Sequence, residues 1–166
     1  MSAMLVSFEQ QTFNDSLMFL EKARILPTNQ PFKRWTMLTW SIVSAQVCME
    51  AYLNAFISAK LPTTERQAFT DDTRNFKNKV NDYVKSRLVL PLQTNDTGWQ
   101  EILNSMQLRN KIVHHKVDKE VFDELTEKNA GRAIDSCREL IKRLCQADGK
   151  KYPKWVDKTQ SQVYDS

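Results

Sequence analysis

The segment between Arg34 and Lys60 constrains the fold most, because its only charged side chain is Glu50. A helix of this length would span a lipid bilayer. Polar side chains are scattered through the segment, however, and a carboxylate at the centre of a membrane helix costs about 3 kcal/mol on insertion scales. The pattern therefore favours a buried core helix over residues 32–59, covered on most sides by its own bundle and by a neighbouring surface such as a second copy of the chain.

Composition points to an all-helical protein. The 166 residues include only 3 glycines and 5 prolines, the residues on which sheet-connecting turns depend. An apolar content of 41% is enough for one domain with its own core. A net charge of +4 permits an anionic partner but does not require one.

Cysteine usage and the start of the chain indicate a cytoplasmic protein. Cys48, Cys137 and Cys145 are odd in number and lack the Cys-x-x-Cys spacing of metal or redox sites, so we expect reduced core cysteines. Acidic residues interrupt the apolar run at the start, which argues against a secretion signal. We therefore expect no membrane association.

Apolar side chains recur at helical spacing in five long or medium segments. The predicted helices cover residues 4–25, 32–59, 73–88, 97–115 and 127–145, with short helical turns at 63–69 and 118–125. A Thr97-x-x-Gln100 pattern predicts a capping box at the start of the fourth long helix. We expect a helical bundle over residues 1–146 and a polar, flexible tail over residues 147–166.

The stretch LRNKIVHHK (108–116) holds both histidines of the chain. On a helical wheel, Arg109 and His114 lie at opposite edges of a predicted core face, roughly 140° apart, while His115 points away. That core face comprises Trp99, Ile102, Leu103, Met106, Asn110 and Val113. Leu108 and Ile112 form a second apolar strip, which we expect to meet another surface, a dimer partner being one candidate.

These residue types suit RNA cleavage, because RNA carries its own nucleophile in the 2′-OH. Histidine moves protons near neutral pH, and arginine stabilises the charge that builds on the phosphate. The sequence contains no His-Glu-x-x-His motif and no Cys/His cluster, so the pattern indicates chemistry without a metal. The alternative is structural, since Arg and His near a helix C-terminus also interact favourably with the helix dipole.

Residues 109–114 resemble the Arg-x(4–6)-His motif of the HEPN superfamily, in its common Arg-Asn-x-x-x-His form. The stretch SAQVCMEAYLNAFI (44–57) is similar to the second helix of many members. The resemblance implies an all-α, up-and-down bundle of four to five helices that forms a homodimer with the motif at the dimer cleft. It also implies a metal-independent endoribonuclease without a cofactor, acting on RNA as a phage-defence effector or as a toxin with a protein antitoxin.

The resemblance assigns roles to individual residues. Arg109 and His114 correspond to the catalytic pair, and Asn110 to the polar residue that helps to orient the arginine. His115 also satisfies the permitted spacing and stays open as the catalytic histidine. We expect Lys111 and Lys116 to contact RNA.

Glu50 and Asn54, one turn apart on the most apolar helix, are further supporting candidates. A buried carboxylate is expensive without a partner, so we expect Glu50 to be paired. The partner is either Arg109 or a histidine, which would be a functional contact, or any other cation or backbone group.

A second hypothesis is a non-catalytic HEPN-like module that binds a nucleotide, RNA or a partner protein. Basic side chains outside the motif would then matter more than the histidines; these are Arg74, Lys77, Lys79, Lys85, Arg87, Lys142 and Arg143.

Overall fold

The computed structural model describes residues 7–114 and 119–161, and within those ranges the chain is helical with no β-strand. The all-helical class predicted from composition is confirmed. In chain order the helices are α1 (Phe8–Ile25), α2 (Pro31–Lys60), α3 (Thr63–Thr70), α4 (Phe76–Lys79), which continues as a π-helical segment (Val80–Arg87), α5 (Thr97–His114), α6 (Lys119–Glu124) and α7 (Glu127–Ala147), followed by a 3-10 turn (Lys154–Asp157).

Helix α2 is the central element and packs against α1, α5 and α7. Its inward side is apolar, with Ile42, Met49 and Ile57 fully buried. By length and mean hydropathy α2 would also qualify as a membrane span, a test that the core helices of water-soluble proteins pass as well. The prediction of a core helix at this position agrees with the packing.

The hydrogen bonds and ion pairs between the long helices show in which direction each helix runs. Ser41 Oγ donates to the Ser16 carbonyl at 2.8 Å, and Cys48 Sγ donates to the Glu9 carbonyl at 3.1 Å, so α1 and α2 are antiparallel. α2 and α7 run the same way, since their ion pairs ascend together, Arg34 with Glu127 and Lys60 with Asp148. α5 runs against α7, joining Asp96 to Arg143 and Glu101 to Ser136.

The segment predicted as one helix over residues 73–88 is shorter and changes geometry. It begins at Phe76, where Asn75 Oδ1 accepts from the Asn78 amide at 3.0 Å, and it widens into π-helical turns from Val80. The last amide of that segment, on Leu88, donates to the Tyr83 carbonyl at 2.7 Å. This wider winding keeps both Val80 and Val84 fully buried.

The flexible tail predicted after Gln146 is wrong for residues 147–161, which pack onto the bundle. Val156 is fully buried, and the Trp155 ring lies 5.4 Å from the Phe13 ring and 6.4 Å from the Tyr52 ring. Arg138 on α7 donates through Nε to the Val156 carbonyl at 3.0 Å. The prediction failed because the polar composition of this segment hid two apolar side chains that fill a gap between helices; residues 162–166 lie outside the described part.

Replacing Trp155 with alanine tests whether this segment belongs to the fold. Trp155 covers Phe13, so we expect Trp155→Ala to lower the free energy of unfolding by about 2 kcal/mol or more, measured by denaturant titration. Tyr152→Ala is the control, because Tyr152 is exposed, lies beside Lys142 and Asp157 and does not pack against the hydrophobic core. Equal, small effects from both substitutions would contradict the packed segment.

Candidate active site

Helix α5 carries the Arg-x(4–6)-His motif, and Asp96 anchors its first turn. Asp96 Oδ1 accepts from the Trp99 amide at 2.9 Å, and Arg143 lies 3.0 Å from the same carboxylate. The Trp99 amide and the Arg143 guanidinium lower the pKa of Asp96. The predicted capping box centred on Thr97 is therefore wrong by one residue, because Asp96 provides the stronger, charged acceptor.

The face of α5 predicted to be buried is buried only over its first three turns. Trp99, Ile102 and Met106 are buried, as expected, whereas Asn110 and Val113 are exposed. The last turn of α5 extends past its neighbours, which periodicity within one helix does not reveal.

The second apolar strip of α5 is covered within the chain. Leu108 and Ile112 are half-buried and pack against the main hydrophobic core, and α6 lies against α5. The surface that these two side chains were expected to meet is therefore supplied by the same protomer, and this strip provides no argument for a dimer.

A buried amide group sets the position of α5 beside α2. Gln46 on α2 is fully buried, and its Nε2 donates to Ser105 Oγ at 2.9 Å and also to the Ser105 carbonyl. Polar groups lose hydration on burial, so this pairing is favoured over any shifted arrangement that leaves the amide without acceptors.

A cleft of about 730 Å³ opens between α2, α4 and α5, beside the Gln46–Ser105 contact. Five of the residues predicted from the sequence line it: Arg109, Asn110, His114, Glu50 and Asn54. The remaining walls come from the Thr73–Phe76 stretch, from Lys77 and Lys79 on α4, and from Leu53, Leu103, Met106 and Gln107.

Arg109 is half-buried in this cleft and lacks a carboxylate partner among the described residues. Its Nη1 donates to Asn110 Oδ1 at 3.1 Å, the contact expected if Asn110 orients the guanidinium. Its Nε is buried and has no hydrogen-bond acceptor within the described ranges. The Nη2 group makes no hydrogen bond within the described ranges and is not buried, so the guanidinium keeps a donor free for an anion, while the exposed His114 side chain lines the same cleft.

Glu50 is not paired, contrary to the expectation from burial cost. Its side chain is half-buried at the cleft, its carboxylate oxygens are not fully enclosed, and no cation or backbone donor of residues 7–114 and 119–161 contacts it. Asn54, one turn further along α2, accepts through Oδ1 from Lys79 Nζ at 3.2 Å. The pair that the sequence placed together on α2 therefore faces the cleft but does not form one network.

The other predicted site residues, Lys111, His115 and Lys116, are not among the described residues that line the cleft. Lys111 forms an ion pair with Glu124 at 2.8 Å and does not line the cleft, so its charge is already compensated. His115 and Lys116 lie outside the described residues.

Sequence reasoning about the motif missed Lys77 and Lys79 as neighbours of Arg109. They are about thirty residues away along the chain and reach the cleft because the Phe76 ring stacks on Trp99 at the start of α5, with ring centroids 6.1 Å apart. The sequence signal that could have indicated their position is a pair of lysines, two residues apart, directly after Phe76 at the start of a helix. No group of three or more potential metal ligands occurs in the described part of the chain.

No protein-family model matches this chain, and neither a curated protein nor a solved structure is similar to it.

Substituting Asp96 tests the anchoring of α5. Because the pKa of Asp96 in the fold lies below its ordinary value of 3.8, ionised Asp96 stabilises the protein at neutral pH, and this stabilisation is lost as the pH falls below about 4. We expect Asp96→Ala to lower the urea midpoint at pH 7, with the difference from wild type shrinking below pH 4. Asp123→Ala, which removes an exposed carboxylate, is the control; a pH-independent deficit for Asp96→Ala would oppose this account.

Proposed function

We propose that the protein is a metal-independent endoribonuclease of the HEPN type, with Arg109 and His114 as its catalytic pair. The observation that supports it best is one cleft lined by Arg109, Asn110 and His114 in which the guanidinium has no carboxylate partner among the described residues and its Nη2 group is neither buried nor hydrogen-bonded. A structural arginine at a helix end would direct its donors to nearby carbonyls or carboxylates. Arg109 instead keeps them available to a ligand in the cleft.

The chemistry of such a site needs no group beyond the RNA and these side chains. The 2′-OH attacks the adjacent phosphorus, the P–O5′ bond breaks, and the products are a 2′,3′-cyclic phosphate and a 5′-OH. An imidazole at His114 transfers a proton in this step. Arg109 neutralises the charge on the non-bridging oxygens, and Asn110 holds the guanidinium in its rotamer.

The proposal includes the fold type. α1, α2, α5 and α7 alternate in direction and pack side by side, as expected of an up-and-down helical bundle. The family resemblance extends the proposal to a toxin or phage-defence role in the cytoplasm, with an antitoxin protein as a further partner in the first case.

The proposal also includes a homodimer, because one imidazole does not readily act as both base and acid on opposite sides of a phosphate. A two-fold axis near the end of α5 would bring two copies of the motif to one cleft. Val113, adjacent to His114, is an apolar side chain that is 47% exposed, and a second chain would cover it.

The direct test is cleavage of single-stranded RNA in the presence of EDTA. We expect Arg109→Ala and His114→Ala each to reduce the rate about 10²-fold or more, because each removes a group that acts in the transition state. Wild-type products should carry a 2′,3′-cyclic phosphate, detected by mass spectrometry.

His115→Ala is the matched comparison, since it removes the neighbouring imidazole. We expect it to keep most of the activity. Cleavage that requires added divalent metal, or that survives both Arg109→Ala and His114→Ala, rules the proposal out. RNA binding without cleavage would favour the non-catalytic module, which the unpaired cations of the cleft also suit.

Dimerisation has its own test at Val113. Val113→Glu introduces a charge at the proposed contact, so we expect sedimentation to change from dimer to monomer and cleavage to fall in parallel, with the unfolding midpoint unchanged. Val89→Glu is the control, because it makes the same substitution at a side chain that is 77% exposed and does not line the cleft. A wild-type protein that sediments as a monomer while cleaving RNA contradicts the shared site.

A further inference from the structure

Three cations line the cleft without a carboxylate partner among the described residues: Lys77, Lys79 and Arg109. The other basic side chain of the wall, Arg74, is different. It contacts Asp72 at 2.7 Å and also pairs with Asp82. Among the described residues Glu50 is the one carboxylate that lines the cleft, so this part of the wall carries excess positive charge.

Two contacts restrict the Lys79 ammonium at the cleft. Its Nζ donates to Asn54 Oδ1 at 3.2 Å and lies 5.2 Å from the centroid of the Phe69 ring. These contacts restrict the side chain and remove part of its water, but neither supplies a negative charge. A half-buried ammonium without an anion is costly, and an anionic ligand relieves that cost.

The two lysines lie at a distance from the proposed catalytic pair. Phe76, beside Lys77, stacks on Trp99 in the first turn of α5, whereas His114 closes the last turn. A helix rises about 1.5 Å per residue, so along α5 Trp99 lies about 15 Å from Arg109 and about 22 Å from His114. One phosphate cannot contact both ends, but a strand of several linked nucleotides can.

We propose that Lys77 and Lys79 form a second phosphate subsite, which binds a flanking phosphodiester of single-stranded RNA while Arg109 and His114 act on another. The identity of the ligand rests on the proposed function. The inference makes α4, which lies outside the motif, the element that favours a longer RNA strand over a mononucleotide. A mononucleotide would occupy one end only. A strand spanning the cleft neutralises both groups of cations.

Binding of a 2′-O-methyl RNA hexamer tests this subsite, since that probe cannot be cleaved. We expect Lys77→Gln/Lys79→Gln to weaken hexamer binding about tenfold at low salt in fluorescence anisotropy. The slope of log affinity against log salt should decrease in magnitude by about 0.7, the value for one phosphate contact on a single strand. Binding of a 2′-O-methyl dinucleotide should not change.

Lys85→Gln is the control for loss of a lysine outside the cleft. Lys85 is on the same helical segment, is exposed, donates to Thr94 Oγ1 at 3.0 Å and does not line the cleft. Equal hexamer affinity for the double variant and for Lys85→Gln overturns the subsite, as does a double variant that loses dinucleotide and hexamer binding alike. Circular dichroism melts of each variant separate lost folding from lost binding.

Failure of the subsite proposal and failure of the nuclease proposal give different results. Lysine-dependent hexamer binding by a wild-type protein that does not cleave RNA supports the subsite and removes the nuclease. Cleavage of long RNA that is unaffected by Lys77→Gln/Lys79→Gln, in KM as in kcat, removes the subsite and leaves the nuclease. Preferential binding of the corresponding duplex would contradict a single-stranded ligand.

Discussion

The buried contact between Gln46 and Ser105 is the interaction on which the candidate site depends. Apolar burial is non-directional, so by itself it specifies the register of α2 against α5 only weakly. Gln46 fixes that register, because its amide finds acceptors only where Ser105 faces it. The register set there determines which face of α2 meets α5, and so brings Glu50 and Asn54 to the same cleft as Arg109.

Local information accounts for much of the fold. Helical periodicity predicted the four long helices and the short turn at Thr63–Thr70, because each buries a stripe that recurs every three to four residues. Periodicity failed where a single side chain outweighed the apolar pattern. Asp96 starts α5 in place of Thr97, since a carboxylate that also meets Arg143 is the better cap. It failed again at Trp155 and Val156, where two apolar residues in a polar segment were enough to dock it.

The candidate site was predictable only in part, for a related reason. Arg109, Asn110 and His114 lie within two turns of one helix, so their common face follows from helix geometry. Lys77 and Lys79 reach the cleft through the stacking of Phe76 on Trp99, a contact between distant parts of the chain that one helical wheel does not contain. Glu50 was predicted to be buried and paired. It has no partner among the described residues, because apolar neighbours in sequence do not imply that every face of α2 is buried.

Ion pairs compensate the basic region near the end of α7 but not three of the cations that line the cleft. Near the end of α7, Lys142 meets Asp157, and Arg143 meets both Asp96 and Glu139, so that region is basic in sequence but largely compensated in space. Cations without a carboxylate partner among the described residues also occur on the exposed surface, for example Lys33 and Lys151, so the cleft differs in gathering Lys77, Lys79 and Arg109 in one cavity. The proposed RNA ligand would neutralise these three charges together.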